Sequence, residues 1–247
     1  MKKAIIAGCS HTAGFELDGS EDSQYNRDHS WASQLATMLG MEPVNLALGG
    51  ASNSAISRQV VDYLHRQDTE PQNFFAIIGW SECMRMEIPS GWDVDIRENN
   101  HAVAQFTDSV LPFLQINAGW QGNTDYEKEI MPYWHKHFVD NEELMELSSI
   151  QTALATQWYL ESKNIPYIMC NTMWNWKLNR YTSSYVDLVH KTRYYQYGNN
   201  SECFYYKYLD VYGENPLAQY GHLGVEAHTE QAKRLYKHVK QYNLEQY

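Results

Sequence analysis

Long apolar runs, paired cysteines and concentrated positive charge are all missing from this 247-residue sequence. No stretch approaches the ~18 consecutive apolar residues of a membrane-spanning helix, so no membrane partner is expected. The four cysteines, Cys9, Cys83, Cys170 and Cys203, lie far apart and form no Cys-x-x-Cys pair. Free thiols in a reducing compartment fit this spacing better than disulfides or a zinc site, and the expected location is the cytoplasm. Lys and Arg number 19 against 30 Asp and Glu, for a net charge of −11. Without a basic stripe there is nothing to neutralise phosphates, which argues against a nucleic-acid partner. A small neutral or cationic substrate fits such a chain better than a polyanion. Met1-Lys2-Lys3 and the apolar residues up to Cys9 look like a lipoprotein signal. The apolar part falls short of the ~7–15 residues that a signal core needs, so no signal peptide is expected and the segment reads as a first strand. There is no internal repeat and no flexible linker.

What is present is the composition of a globular protein, with 43% apolar and 20% charged residues. A chain of this length can bury one large core, and a single domain over residues 1–247 is expected. Strands and helices alternate. Lys3–Ala7 reads as a strand, and Trp31–Leu39 as a helix stopped by Gly40. Pro43–Ala47 is a second strand. Ser54–Arg66 is a helix with Ile56, Val60, Val61 and Leu64 facing inward. Asn73–Gly79 is a fully buried third strand, and Glu142–Lys163 a long helix whose stripe is Leu144, Leu147, Ile150, Leu154 and Trp158. Pro166–Asn171 is a fourth strand and Gly224–Tyr242 a closing helix. This order predicts an α/β protein, a three-layer sandwich with a parallel, flavodoxin-like sheet.

Two stretches interrupt the alternation. Residues 84–135 read as an insertion with a helix near His101–Ile116. Residues 172–221 are rich in aromatics, including Trp174, Trp176, Tyr181, Tyr194, Tyr195, Tyr197, Tyr205, Tyr206 and Tyr212. Both follow carboxyl ends of strands, where α/β proteins place their sites. The tyrosine-rich stretch suits a sugar-stacking wall, and equally a packed insertion or an oligomer surface.

Ser10 follows the first strand in Gly8-Cys9-Ser10-His11-Thr12. Gly50 follows the second, and Gly79-Trp80-Ser81-Glu82 follows the third. His222 precedes the last helix in Gln219-Tyr220-Gly221-His222-Leu223-Gly224. In a parallel sheet these loops meet on one edge. A serine, a histidine and glycine-marked turns are what acyl transfer requires: nucleophile, base and backbone N–H groups for the oxyanion. Cys9 reads as a small buried hydrophobe, and His228 as a packing or capping residue. His135 and His137 have no carboxylate motif to complete a metal site, and no metal or cofactor is expected. Trp80, Arg85 and His11 are candidates to line the pocket. For Trp80 and Arg85 the competing readings are core packing and a surface ion pair.

These blocks resemble the SGNH (GDSL-like) hydrolase superfamily. Gly8-Cys9-Ser10-His11-Thr12 resembles its Gly-Asp-Ser-x-Thr block, which implies Ser10 as nucleophile. Ser30-Trp31-Ala32-Ser33-Gln34-Leu35-Ala36 is similar to the helix that often follows. Asn45-Leu46-Ala47-Leu48-Gly49-Gly50-Ala51-Ser52 resembles the second block, which implies an oxyanion N–H from Gly50. His222-Leu223-Gly224-Val225-Glu226-Ala227-His228 resembles the last block, which implies His222 as base. The departures are Cys9 for an aspartate, Ser81 for the oxyanion-hole asparagine, and Gln219 for the aspartate that orients the base. Ser81 or Asn53 could supply the missing donor. Gln219 could steer His222, or Asp210 or Glu214 could fold back onto it. The resemblance implies a serine esterase cleaving an ester, such as an O-acyl group on a carbohydrate. The alternative is a catalytically weak or inactive binding or assembly module, as a homo-oligomer or with a partner. The overall pattern also resembles phage-encoded members of the superfamily.

Overall fold

The computed structural model describes residues 1–67, 70–89, 113–116, 125–137, 141–177, 179–195 and 203–246. Four parallel strands form its central sheet in the order β2-β1-β3-β6: β1 (Lys3–Gly8), β2 (Glu42–Asn45), β3 (Phe74–Trp80) and β6 (Tyr167–Asn171). Every residue of β3 is buried, as expected of a central strand covered on both faces.

Alternation along the strands divides the core in two. Ile5, Ala7, Phe74, Ala76, Ile78, Tyr167 and Met169 face a layer that contains Ile56 and Val60 of α4 (Asn53–His65) and Ile150 and Leu154 of α6 (Glu142–Ser162). Ala4, Ile6, Phe75, Ile77, Ile168 and Cys170 face the opposite layer. There they meet Trp31 and Leu35 of α3 (Trp31–Met38), Phe204 and Tyr208 of α8 (Phe204–Tyr212), and Ala227 and Leu235 of α9 (Val225–Gln241). The three-layer α/β/α sandwich expected from the sequence is the architecture found. Outside it lie a short antiparallel pair, β4 (Met86–Pro89) with β5 (Phe113–Ile116), the helix α5 (Asp125–His137) and the short helix α7 (Ser183–Val186).

Two sequence expectations need correction. The helix near His101–Ile116 lies mostly outside the described residues, and its last four residues are strand β5. The buried face of α6 keeps Ile150 and Leu154 of the expected stripe but not its ends, because Leu144 is 47% and Trp158 52% exposed. The face that packs is Met145, Glu146, Ser149, Ile150, Ala153, Leu154, Gln157 and Leu160. Small and hydrogen-bonded polar residues let this helix approach α4, so apolar periodicity found only the middle of the face. The Ser149 hydroxyl accepts from Asn53, and the Thr156 hydroxyl donates to Ser57.

At the carboxyl edge of the sheet, Gly8 and Gly79 are paired in register on β1 and β3. Thr12 sits directly over both. A Cβ at either position would lie 2.2 Å from the Thr12 hydroxyl oxygen, so only glycine admits the turn that follows β1. That turn continues into the one-turn helix α1 (Ser10–Ala13), capped by Gly14 in the left-handed conformation at φ 86°. A Cβ on Gly14 would also meet the Asn26 carbonyl at 2.3 Å.

His228 is fully buried one turn into α9. Its Nδ1 accepts the N–H of Trp31 at 3.0 Å, satisfying a donor at the start of α3, and its ring packs on Phe204. Burial, followed by the nearby His222, lowers its pKa to about 3. Between pH 6.5 and 3 the unfolded chain binds a proton at this residue that the folded chain refuses. Stability is therefore full above the unfolded value and is lost as pH falls through that window. The slope for one such group is at most about 1.4 kcal/mol per pH unit. Urea unfolding at pH 7.0, 6.0 and 5.0 should show this loss. His228→Asn, which keeps an acceptor that does not titrate, should show a shallower slope; an unchanged slope would refute the assignment.

Candidate active site

The loops after β1, β2 and β3 and the loop before α9 meet at the carboxyl edge. Ser10 opens α1 and is 7% exposed. Its hydroxyl makes no hydrogen bond among the described residues, His222 included. The His11 ring lies between two others, 4.6 Å from the His222 centroid and 4.9 Å from that of Tyr205. Burial, then the charges of His222, Arg85 and His228, hold the His11 pKa well below the usual imidazole value, so His11 is neutral.

His222 is buried and oriented by a residue that the sequence reading missed. Glu16, 1% exposed, accepts the Nδ1–H of His222 at 2.5 Å. Its carboxylate also accepts the backbone N–H groups of Gln219 at 2.7 Å and Tyr220 at 3.1 Å. Burial alone would raise the Glu16 pKa, but the hydrogen bonds from His222, Gln219 and Tyr220 outweigh it and keep the carboxyl ionised. An ionised Glu16 leaves Nδ1 of His222 as the donor. In the neutral ring the lone pair is then on Nε2. The His222 pKa lies below the usual value because burial lowers it, Glu16 partly restores it, and Arg85 lowers it again.

Glu16 is held in an unusual backbone state, with φ at +64°. A non-glycine residue in this region is uncommon and needs surrounding contacts to keep it there. Asn215 supplies one: its side-chain N–H donates to the Glu16 carbonyl at 2.6 Å, and its backbone N–H donates to the His222 carbonyl at 2.8 Å. One asparagine thus ties the loop of the acid to the loop of the imidazole.

Several sequence expectations for this site are corrected. Gln219 does not steer His222 with its side chain; it gives Glu16 a backbone N–H. The Glu214 carboxylate accepts from Tyr205 instead of folding onto His222, and no contact between Asp210 and His222 is found among the described residues. The Asn53 amide is already committed, its oxygen accepting the Ser81 N–H at 2.8 Å and its NH2 donating to the Ser81 carbonyl and the Ser149 hydroxyl. Asn53 is a clamp on the loop after β3. The Ser81 hydroxyl is buried without a partner, and its N–H belongs to Asn53. Trp80 is fully buried in the core and lines no accessible surface.

Gly50 sits at φ 70°, and its N–H has no hydrogen-bond partner among the described residues. The adjacent Gly49 packs flat on Phe15, whose ring lies 6.2 Å from His222; a Cβ there would meet that ring at 2.6 Å. Arg27, paired with Asp22, donates to the carbonyls of Asn45 and Ala47 and fixes the start of this loop. Cys9 is buried in the core, its Sγ 3.5 Å from the Thr172 hydroxyl. No group of three His, Cys, Asp or Glu side chains able to hold a metal ion occurs among the described residues, and no helix there is long and apolar enough to cross a membrane.

The fold is that of the SGNH hydrolases, an α/β sandwich with its parallel sheet flanked by helices. A family two carbohydrate esterase from Clostridium thermocellum, solved with cellohexaose, superposes with a TM-score of 0.50 at 12% identity. The match covers 98% of this chain and 64% of that one, so this chain spans less than two thirds of that esterase. The esterase EstA from Pseudoalteromonas sp. gives 0.49 at 12% identity, over 98% of this chain and 99% of that one. A carbohydrate esterase family 2 enzyme from Corynascus thermopiles (Myceliophthora fergusii) gives 0.49 at 11% identity, over 98% and 67%. At such identities the likeness concerns the fold. No curated protein matches the sequence. Within this fold class the chain belongs to DUF6071, a family of unknown function, which it matches over residues 16–173. The matched region begins at Glu16 and contains neither Ser10 nor His222.

The Glu16–His222 pair makes a direct prediction. Glu16→Gln removes the charge that raises the His222 pKa, so that pKa should fall further, as followed by NMR titration of the ring C–H signals. A rise or no change would show that Glu16 does not govern this imidazole.

Proposed function

We propose that the protein is a serine ester hydrolase with Ser10 as nucleophile, His222 as base and Glu16 as the acid that orients it. The observation that carries this reading is the buried Glu16–His222 hydrogen bond at the sheet edge where Ser10 begins α1. Ser10 Oγ adds to the acyl carbonyl while His222 Nε2 takes its proton. The N–H groups of Ser10 and Gly50 receive the oxyanion. The alkoxide leaves with the proton from His222, and a water, deprotonated by the same nitrogen, releases the acid and regenerates Ser10. His11 packs on His222 and keeps its outer face apolar and neutral.

The alcohol side of the ester is proposed to be a carbohydrate hydroxyl. Tyr205 beside His11 supports this, as do the exposed rings of Tyr206, Tyr212 and Tyr220, because aromatic faces with polar tips suit sugars. One observation favours the second reading, a module that keeps the fold without the chemistry: Ser10 and His222 share no hydrogen bond. Catalytic hydrogen bonds often tighten only when substrate is bound, so this does not outweigh the oriented imidazole.

Hydrolysis of p-nitrophenyl acetate and butyrate should be lost in Ser10→Ala, and labelling by a fluorophosphonate should disappear with it. Glu16→Gln should lower kcat by about 10²–10⁴, as when a triad carboxylate is neutralised. The acid limb of kcat/KM should lie below pH 6.5, because His222 must be neutral and its pKa is lowered. Equal rates for wild type and Ser10→Ala, with no labelling of either, would favour the module.

A further inference from the structure

Arg85 is a cation in the loop after β3, and its guanidinium is only partly used. The side chain is 10% exposed. Its Nε donates to Glu82 at 2.8 Å, and one Nη2 hydrogen points to the Met173 sulfur at 3.0 Å, a weak acceptor. Nη1 is buried and has no partner among the described residues. A buried charged donor without an acceptor is costly, and sites that keep one generally fill it from outside the chain. Its position says from where: Arg85 stands in the loop after β3, against Met173 just past the end of β6, and so at the carboxyl edge of the sheet where Ser10 and His222 lie.

The geometry points to Arg85 as a specificity residue whose free Nη1 edge takes a carboxylate carried by the ester substrate. This rests on the hydrolase reading and sharpens its substrate class, from esters in general to esters bearing one negative charge near the scissile bond. A planar guanidinium with an unpaired Nη1 suits a carboxylate, and Glu82 on Nε and Met173 beside Nη2 fix the plane in which that edge lies. The overall charge of −11 disfavours a polyanion approaching the whole surface. It does not oppose a single carboxylate that meets a fixed cation inside the site. Once bound, the carboxylate would also turn Arg85 from a charge that disfavours protonated His222 into one that is neutralised locally.

The carboxylate could sit on the acyl or the alcohol side, and two substrate pairs separate these. Mono-p-nitrophenyl glutarate against p-nitrophenyl pentanoate tests the acyl side, since the two differ only in the terminal group. 4-Acetoxybenzoate against 4-acetoxybenzamide tests the alcohol side. In wild type, kcat/KM should favour the anionic member of at least one pair, and Arg85→Gln should lower that ratio about tenfold or more, the worth of a charge-assisted hydrogen bond. Calorimetry supplies an arm independent of turnover: glutarate and 4-hydroxybenzoate are compared with their amides. At least one anion should bind more tightly than its amide, and Arg85→Gln should remove the difference. If no ester is hydrolysed, the hydrolase reading fails and calorimetry alone decides the anion site. If Arg85→Gln does not fold, the wild-type comparison of acids with amides still decides. Ratios unchanged by Arg85→Gln, or acids and amides bound alike, would overturn the inference.

Discussion

The hydrogen bond between Glu16 and His222 joins residues 206 positions apart and organises the edge of the sheet. It is a buried pair, and a buried charge is tolerated only when its remaining lone pairs are satisfied. Here the Gln219 and Tyr220 N–H groups fill them, and Asn215 holds the backbone on both sides. The loop before α9 is therefore shaped around a carboxylate that another loop supplies. The left-handed backbone at Glu16 is the strained part of this arrangement, and five donors around one residue, the Gly19 N–H among them, are what keep it.

A second constraint lies beneath the first. The turn after β1 can place Ser10 at the sheet edge only because Gly8 and Gly79 leave room for Thr12. Packing in both layers reaches up to this point, with Trp31 of one layer and Thr172 at the end of β6 also touching the space over Gly79. Core and site are thus continuous, and no separate structural element is inserted to present the serine.

The sandwich was legible in the sequence because buried parallel strands are short apolar runs and the helices between them carry clear stripes. The loops holding Ser10 and Gly50 were legible because glycine marks each turn at the end of a strand, and that of His222 because Gly221 and Gly224 bracket it before the last helix. Glu16 was not. It stands in Gly14-Phe15-Glu16-Leu17, where the one hint was a charge set among apolar residues, and spacing does not reveal a partner more than two hundred residues away. Gln219 misled because its position is next to the imidazole while its contribution is made by backbone, which carries no side-chain signature. Asn53 and Ser81 were found in the right loops, but the hydrogen bonds that consume them exist only in the folded chain. Leu144 and Trp158 end a helical stripe whose middle, Ile150 and Leu154, is buried but whose ends turn outward, because α6 packs largely through small and polar residues.

Placing the carboxylate six residues after the serine has a consequence for how the site is assembled in time. Ser10 and Glu16 belong to one short segment that can take shape when the first strand pairs with its neighbours. The imidazole arrives 206 residues after the carboxylate, with the loop that α9 brings into place. Ser10 and Glu16 therefore leave the ribosome well before His222 is made and can donate its hydrogen bond to Glu16. The proposed ester chemistry would begin only when α9 docks, so that this docking is itself the step that switches the site on.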